Sequence, residues 1–137
     1  MGEEMKLWIK GDLRQEDYYK LLSLKKRILN SIFSGTSTDS ENWSLMNPMY
    51  GQSAIVAILV QRIFGGRILK ASLAGIPGYE EMGDYYWNRL PYGAEVDLSA
   101  DQFKNDLRNS LPAGKEISGE PDTGEKFELF YLMWGGY

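Results

Sequence analysis

The sequence predicts an α+β fold, and three observations support this class. An amphipathic stripe over residues 15–33 and an apolar run over residues 51–64 are typical of helices. Two extended runs, 84–90 and 94–98, are separated by a Pro-Tyr-Gly turn and favour a hairpin. With 137 residues, the chain is long enough for one hydrophobic core, so we expect a single domain over its whole length.

The first predicted helix, residues 15–33, is amphipathic. Its apolar side chains recur every three or four positions, and lysine and arginine fill most of the others. The apolar positions are Tyr18, Leu21, Leu22, Ile28, Leu29, Ile32 and Phe33. A polar loop over 34–42 ends this helix, and Asn47-Pro48 then favours a turn.

The second predicted helix, residues 51–64, is apolar on every face until Gln61. This pattern indicates a helix at the centre of the core, and we expect Ala54 to Val60 to be almost wholly buried. Gly65-Gly66 supplies a helix C-terminus. A buried strand is the alternative, since isoleucine and valine are frequent, but the length and the glycine pair favour a helix.

The C-terminal half is predicted to add strands and one inserted helix. Ser99 and Gln102 match a capping box, which predicts a short helix from Ser99 to about Ser110. The other elements are a strand at 67–73, hairpin strands at 84–90 and 94–98, a polar loop at 111–125 and a final strand or short helix at 126–133.

Charge and hydropathy exclude several classes of protein. The net charge is −4 without a basic run, which argues against nucleic-acid binding. The longest apolar stretch, Ala54 to Val60, is too short to span a membrane. The segment from Met1 to Lys10 is acidic and has no apolar core, so we expect no signal peptide and a cytoplasmic protein.

The chain contains neither cysteine nor histidine, which restricts its chemistry. Disulfides, thiolate nucleophiles, Cys/His zinc sites and imidazole bases are excluded. We expect no cofactor and no metal. The carboxylates of Glu80, Glu81 and Asp84 could hold a divalent cation, but a solvated acidic loop is the commoner explanation.

Three residues could form a site at the start of the central helix. Ser53 lies at the helix N-terminus, Tyr85 in the first hairpin strand and Asp97 in the second. The turn at 91–93 roughly centres Tyr85 and Asp97, so we expect the two to be neighbours across the hairpin. A helix N-terminus beside strands that carry a base and its orienting carboxylate is the layout of papain-like thiol hydrolases.

Two longer blocks carry a resemblance to a known family. They read NPMYGQSAIVAILVQRIFGGRIL and YYWNRLPYGAEVDLSADQF, with Trp43 before the first. These blocks, about 43–66 and 84–103, resemble the signature blocks of the YunG-like family. The resemblance implies a papain-like Cys-His-Asp arrangement, and hence a papain-like α+β fold in which a central buried helix packs on a small antiparallel sheet.

The sequence departs from the family pattern at two positions that matter for chemistry. Ser53 stands at the cysteine position and Tyr85 at the histidine position, while Asp97 is retained. Ser53 is then either a residual nucleophile or a hydroxyl that satisfies helix amides, and we favour the second. Tyr85 is expected to fill the space of the imidazole and to donate a hydrogen bond to Asp97.

Three further positions of the family blocks are candidate binding residues. Gln52 adjoins the nucleophile position and is either an amide donor to an oxyanion or a partly exposed polar residue. Trp87 and Asn88 alternate along the hairpin strand, so one is expected in the core and the other in a cleft.

These residues favour a binding protein over an enzyme. The leading hypothesis is a catalytically degenerate relative of a papain-like cysteine hydrolase, with a cleft that binds a peptide-like chain or a protein partner. One alternative is an active hydrolase in which Ser53 is the nucleophile and Tyr85 and Asp97 assist. The other is a structural interaction module that uses the first helix or the aromatic cluster of Tyr79, Tyr85, Tyr86, Trp87 and Tyr92.

Overall fold

The computed structural model describes residues 7–135 and confirms an α+β fold. The helices are α1 (Gln15–Leu29), α2 (Ser53–Phe64) and α3 (Lys126–Trp134). The strands are β1 (Trp8–Lys10), β2 (Arg67–Ser72), β3 (Asp84–Arg89), β4 (Glu95–Asp97) and β5 (Lys115–Ile117). The segment from Met1 to Lys10, for which we expect no signal peptide, is described only from residue 7 onward. Between residues 7 and 135, no helix combines the length and the apolar character needed to cross a membrane.

One antiparallel sheet has the strand order β1-β4-β3-β2-β5. Its three central strands are those that the sequence predicts, whereas the edge strands β1 and β5 were not predicted. Each edge strand has only three residues, and β5 lies inside the segment predicted as a polar loop. Three residues are too few to show a period of two, so these edges form because a neighbouring strand offers hydrogen-bonding groups.

Both faces of the sheet are covered. Along β3, Tyr86 and Asn88 point toward α2, whereas Tyr85 and Trp87 point into a second apolar cluster on the other face. Leu69, Leu73, Ile76 and Phe103 are among the other members of the second cluster. A sheet buried on both faces has no open side at its centre, and this fact governs where a ligand can bind.

The central helix is buried as predicted. Every residue from Ala54 to Val60 is at most 6% exposed. The helix begins at Ser53, two residues later than predicted, and ends at Gly65-Gly66 as predicted. Gly66 has φ of 82°, and a Cβ on it would lie 2.1 Å from the carbonyl oxygen of Arg89, so the close approach of the connection between α2 and β2 to β3 requires glycine.

Two predicted helices differ from those observed. Helix α1 ends at Leu29 rather than Phe33, although Ile32 is still buried, because the apolar pattern continues into a turn that packs on the core. The prediction of a helix from Ser99 to Ser110 is wrong. Only two short 3₁₀ turns form there, Ala100–Gln102 and Leu107–Ser110, and the Ser99 hydroxyl caps neither. The final segment, for which the sequence allows either a strand or a short helix, is the helix α3.

Candidate functional site

Four polar side chains meet on the sheet face that points away from α2. We call this group the buried polar centre; its members are Tyr85, Asp97, Ser99 and Arg108. The Tyr85 hydroxyl donates to Asp97, with 2.8 Å to Oδ2 and 2.9 Å to Oδ1, and lies 2.9 Å from the Ser99 hydroxyl. The Arg108 Nε donates to Asp97 Oδ2 over 2.5 Å, and the backbone N–H of Ser99 donates to Oδ1. The predicted hydrogen bond between Tyr85 and Asp97 is therefore present.

The hairpin register explains how Tyr85 reaches Asp97. Asn88 pairs with Val96 across β3 and β4, which puts Trp87 directly opposite Asp97. Tyr85 is thus a diagonal neighbour of Asp97 on the same face, at a separation that a long aromatic side chain spans. Tyr85 is two residues along β3 from the position directly opposite Asp97.

Burial and charge set the protonation states in the polar centre. Burial raises the pKa of the Asp97 carboxyl above its ordinary value, and the Arg108 guanidinium opposes this by stabilising the carboxylate. Burial, with the charge of Asp97, raises the pKa of the Tyr85 phenol well above 10. Tyr85 is consequently a proton donor to Asp97 at neutral pH and does not supply a phenolate base.

Arg108 is held between two indole rings. Its guanidinium carbon lies 3.9 Å from the ring centre of Trp8 and 4.5 Å from that of Trp87. Its Nη2 is buried and has no hydrogen-bond partner among residues 7–135, so the indole faces are its main neighbours. Sequence reasoning missed both Arg108 and Ser99, since Arg108 lies in an irregular segment without a local motif and Ser99 was assigned to a capping box.

Ser53 lies apart from the polar centre. It is the first residue of α2, is 7% exposed, and its hydroxyl oxygen accepts the backbone N–H of Tyr86 over 3.2 Å. Within the described residues, no hydrogen bond joins Ser53 to Tyr85 or Asp97, because the Tyr85 side chain points to the sheet face away from α2. The hydroxyl therefore ties the helix to β3 and does not cap the helix amides.

Two of the three candidate binding residues, Gln52 and Asn88, are buried and donate hydrogen bonds to backbone carbonyls. Gln52 is completely buried, its Nε2 donates to the Phe33 carbonyl over 3.0 Å, and its Oε1 has no partner among residues 7–135. Asn88 is 2% exposed and donates to the Ala57 carbonyl over 2.9 Å, which fastens β3 to α2. Each amide satisfies backbone groups rather than facing solvent.

Trp87 is the candidate binding residue that borders an open space. Its indole N–H donates to Glu95 over 2.9 Å, and its ring forms part of the wall of a pocket of about 430 Å³. We call this space the Trp87 pocket; Trp8, Arg108 and Gly114 also line it. A Cβ at Gly114 would lie 2.5 Å from the Trp87 ring, so the segment at Gly114 packs directly on that ring. Among residues 7–135, no three Asp or Glu side chains come together as a metal-ligand set.

We predict that the Tyr85 phenol makes stability fall with rising pH. The folded protein holds this proton more tightly than the unfolded chain, so the contribution is complete below about pH 10 and is lost as the pH rises toward the folded pKa. Urea unfolding between about pH 9 and 11 should therefore show a shallower decline for Tyr85→Phe than for the wild type. Tyr19→Phe, at a site that is 58% exposed, is the matched control, and an equal change in that variant would contradict the prediction.

Comparison with known proteins identifies a family and nothing finer. The family model described as "YunG protein" matches residues 20–130. This span contains both signature blocks, Ser53 and the whole polar centre. No curated protein and no solved structure matches the chain.

Proposed function

Because the chain belongs to the YunG family, whose signature blocks imply a papain-like layout, we propose that it is a catalytically degenerate relative of cysteine hydrolases that binds a peptide-like chain or protein partner. The observation that carries the proposal is the separation of Ser53 from Tyr85 and Asp97. Tyr85 donates to Asp97 on one face of the sheet, while Ser53 accepts a backbone N–H on the other. A nucleophile and its base need to lie within hydrogen-bond reach.

The local partner of Ser53 also opposes activation. Its Oγ accepts an N–H from Tyr86, a group that cannot remove the serine proton. The pKa of a serine hydroxyl lies far above 7, and each pKa unit costs about 1.36 kcal/mol, so deprotonating Ser53 at pH 7 without a base costs several kcal/mol. A helix N-terminus returns only about 0.3–1 kcal/mol, or about 2 when partly buried, so most of the cost remains.

The binding surface of this proposal is the Trp87 pocket. Gln52, Ser53, Asn88 and Asp97 do not line this pocket, whereas Trp87, although only 3% exposed, does. Trp87 lines a pocket of about 430 Å³, within the size range of sites that take small ligands or single side chains. The indole of Trp8 and the ring of Trp87 offer apolar walls, which suit a side chain of a peptide-like ligand.

We predict that the purified protein hydrolyses no ester or amide through Ser53. An activated-ester assay and a fluorophosphonate probe should give the same signal for the wild type and for Ser53→Ala. Turnover that disappears in both Ser53→Ala and Tyr85→Phe would overturn the proposal and establish the hydrolase alternative.

Binding at the pocket is tested by NMR with a pool of short synthetic peptides. The indole N–H signal of Trp87 should shift on titration. The indole N–H of Trp43, which is bonded to the Pro48 carbonyl and does not line the pocket, is an internal control. No shift at Trp87, or equal shifts at both indoles, would count against this surface.

A further inference from the structure

A second open space lies on the other side of the molecule, where α1, the end of α2 and the hairpin turn converge. It has a volume of about 740 Å³, and we call it the basic groove. Arg14, Lys20 and Arg27 line it, and Asp17 is the one carboxylate among its lining residues in 7–135, in a chain whose net charge is −4. The groove is therefore a local concentration of positive charge on an acidic protein.

The floor of the groove is apolar. Ile63 and Phe64 at the end of α2, Leu24 of α1, and Leu90 and Pro91 of the hairpin turn form it. Ile63 is 43% exposed, so part of this apolar floor is open to solvent. A ligand for this surface needs apolar groups as well as negative charge.

One wall of the groove is held rigidly by Tyr92. Its hydroxyl donates to Asp17 Oδ2 over 2.6 Å and accepts the backbone N–H of Arg14 over 3.2 Å. The Arg14 guanidinium stacks on the ring, with 4.1 Å to the ring centre. The Asp17 carboxylate is therefore already hydrogen-bonded to the phenol, and Arg14 is oriented by an aromatic face.

Two of the cations have no carboxylate partner within the part of the chain that the structure describes. Neither Arg14 nor Lys20 forms an ion pair with a carboxylate among residues 7–135. They are six residues apart at the start of α1, which corresponds to about 9 Å along a helix axis. Arg27, stacked on Trp134 at 3.8 Å, lies about 10 Å farther along the same helix.

This spacing indicates the shape of the ligand. A single small anion reaches only one of these positions. An extended peptide presents carboxylates on one face at residues two or four positions apart, about 7 or 13 Å, and the long glutamate, arginine and lysine side chains can bridge the difference from about 9 Å. We propose that the basic groove binds an acidic peptide segment of a partner protein, whose carboxylates pair with Arg14 and Lys20 and whose apolar side chains cover Ile63 and Phe64. The proposal extends the binding role proposed above to a site that shares no lining residue with the Trp87 pocket.

The experiment measures fluorescence anisotropy of a labelled synthetic peptide that contains glutamate and leucine. The wild type should bind it, and should bind the peptide with glutamine in place of glutamate at least about fivefold more weakly. Lys20→Gln and Arg14→Gln should each weaken binding about two- to fivefold, and Ile63→Ser should weaken it as well. Lys26→Gln, an exposed lysine of α1 that does not line the groove, is the matched control.

Each contrary result is distinguishable. Equal weakening by Lys26→Gln would show unspecific charge attraction and overturn the proposal, as would equal binding of the glutamine peptide. Binding of dodecanoate that depends on Lys20, without binding of the peptide, would identify an acyl anion as the occupant and overturn it too. A negative result in this peptide-binding experiment does not bear on binding at the Trp87 pocket. Hydrolysis through Ser53 would overturn the proposed function but would not change the affinity of the basic groove for the peptide.

Discussion

Replacing Arg108 with methionine is expected to lower the free energy of unfolding by about 3–5 kcal/mol, since it leaves a buried carboxylate without its counter-ion. Asp97 is 2% exposed and would keep only the neutral donors Tyr85 and Ser99. The loss should shrink as the pH falls. Without Arg108 the pKa of Asp97 rises further, and a protonated Asp97 no longer needs a counter-ion. Urea unfolding at pH 7 and at about pH 5 measures both effects.

A double variant separates the contribution of the Asp97–Arg108 charge pair from the contribution of Arg108 packing in the loss of stability. Asp97→Asn combined with Arg108→Met removes both charges, and should be less destabilised than the sum of the single variants by about 0.5–3 kcal/mol. Strict additivity would show that the pair is not coupled. The indole rings of Trp8 and Trp87 lose their guanidinium partner in both backgrounds, so the cation–π contribution cancels in the comparison.

Replacing Ile58 with aspartate is expected to prevent folding. Ile58 is 2% exposed in the middle of α2, with apolar neighbours from both adjacent helical turns. An aspartate there would bury an unpaired carboxylate and lose the packing of the isoleucine, a combination that exceeds about 4–5 kcal/mol, near the whole stability of a small domain. Circular dichroism and a thermal melt measure the outcome.

The control for this prediction lies on the same helix. Ile63→Asp makes the same chemical change at a position that is 43% exposed, and should alter the free energy of unfolding by less than about 1 kcal/mol. A cooperatively melting Ile58→Asp variant would show that α2 is not the centre of the core. Similar losses in the two variants would show that helix propensity rather than burial decides the result.

The central helix and the hairpin were predictable because their signals are local. The length of the apolar segment and the glycine pair that follows it favour a buried helix over a strand, and the structure begins α2 two residues later than the pattern does. The hairpin turn holds β3 and β4 in register, because the backbone N–H of Leu90 donates to the Ala94 carbonyl over 2.8 Å. The edge strands were not predictable, since each is three residues long and depends on its neighbour.

The partners of the site residues required the tertiary structure. Alternation along β3 establishes that Tyr85 and Trp87 share a face, but only the packing of α2 determines that this face is the one away from Ser53. The sequence alone therefore determined the α+β class, the central helix, the family and the absence of cysteine and histidine chemistry. The tertiary structure decided that Arg108 neutralises Asp97 and that Ser53 stands apart, because a buried charge takes its partner from whatever the chain brings within hydrogen-bond reach, and no local pattern encodes that distance.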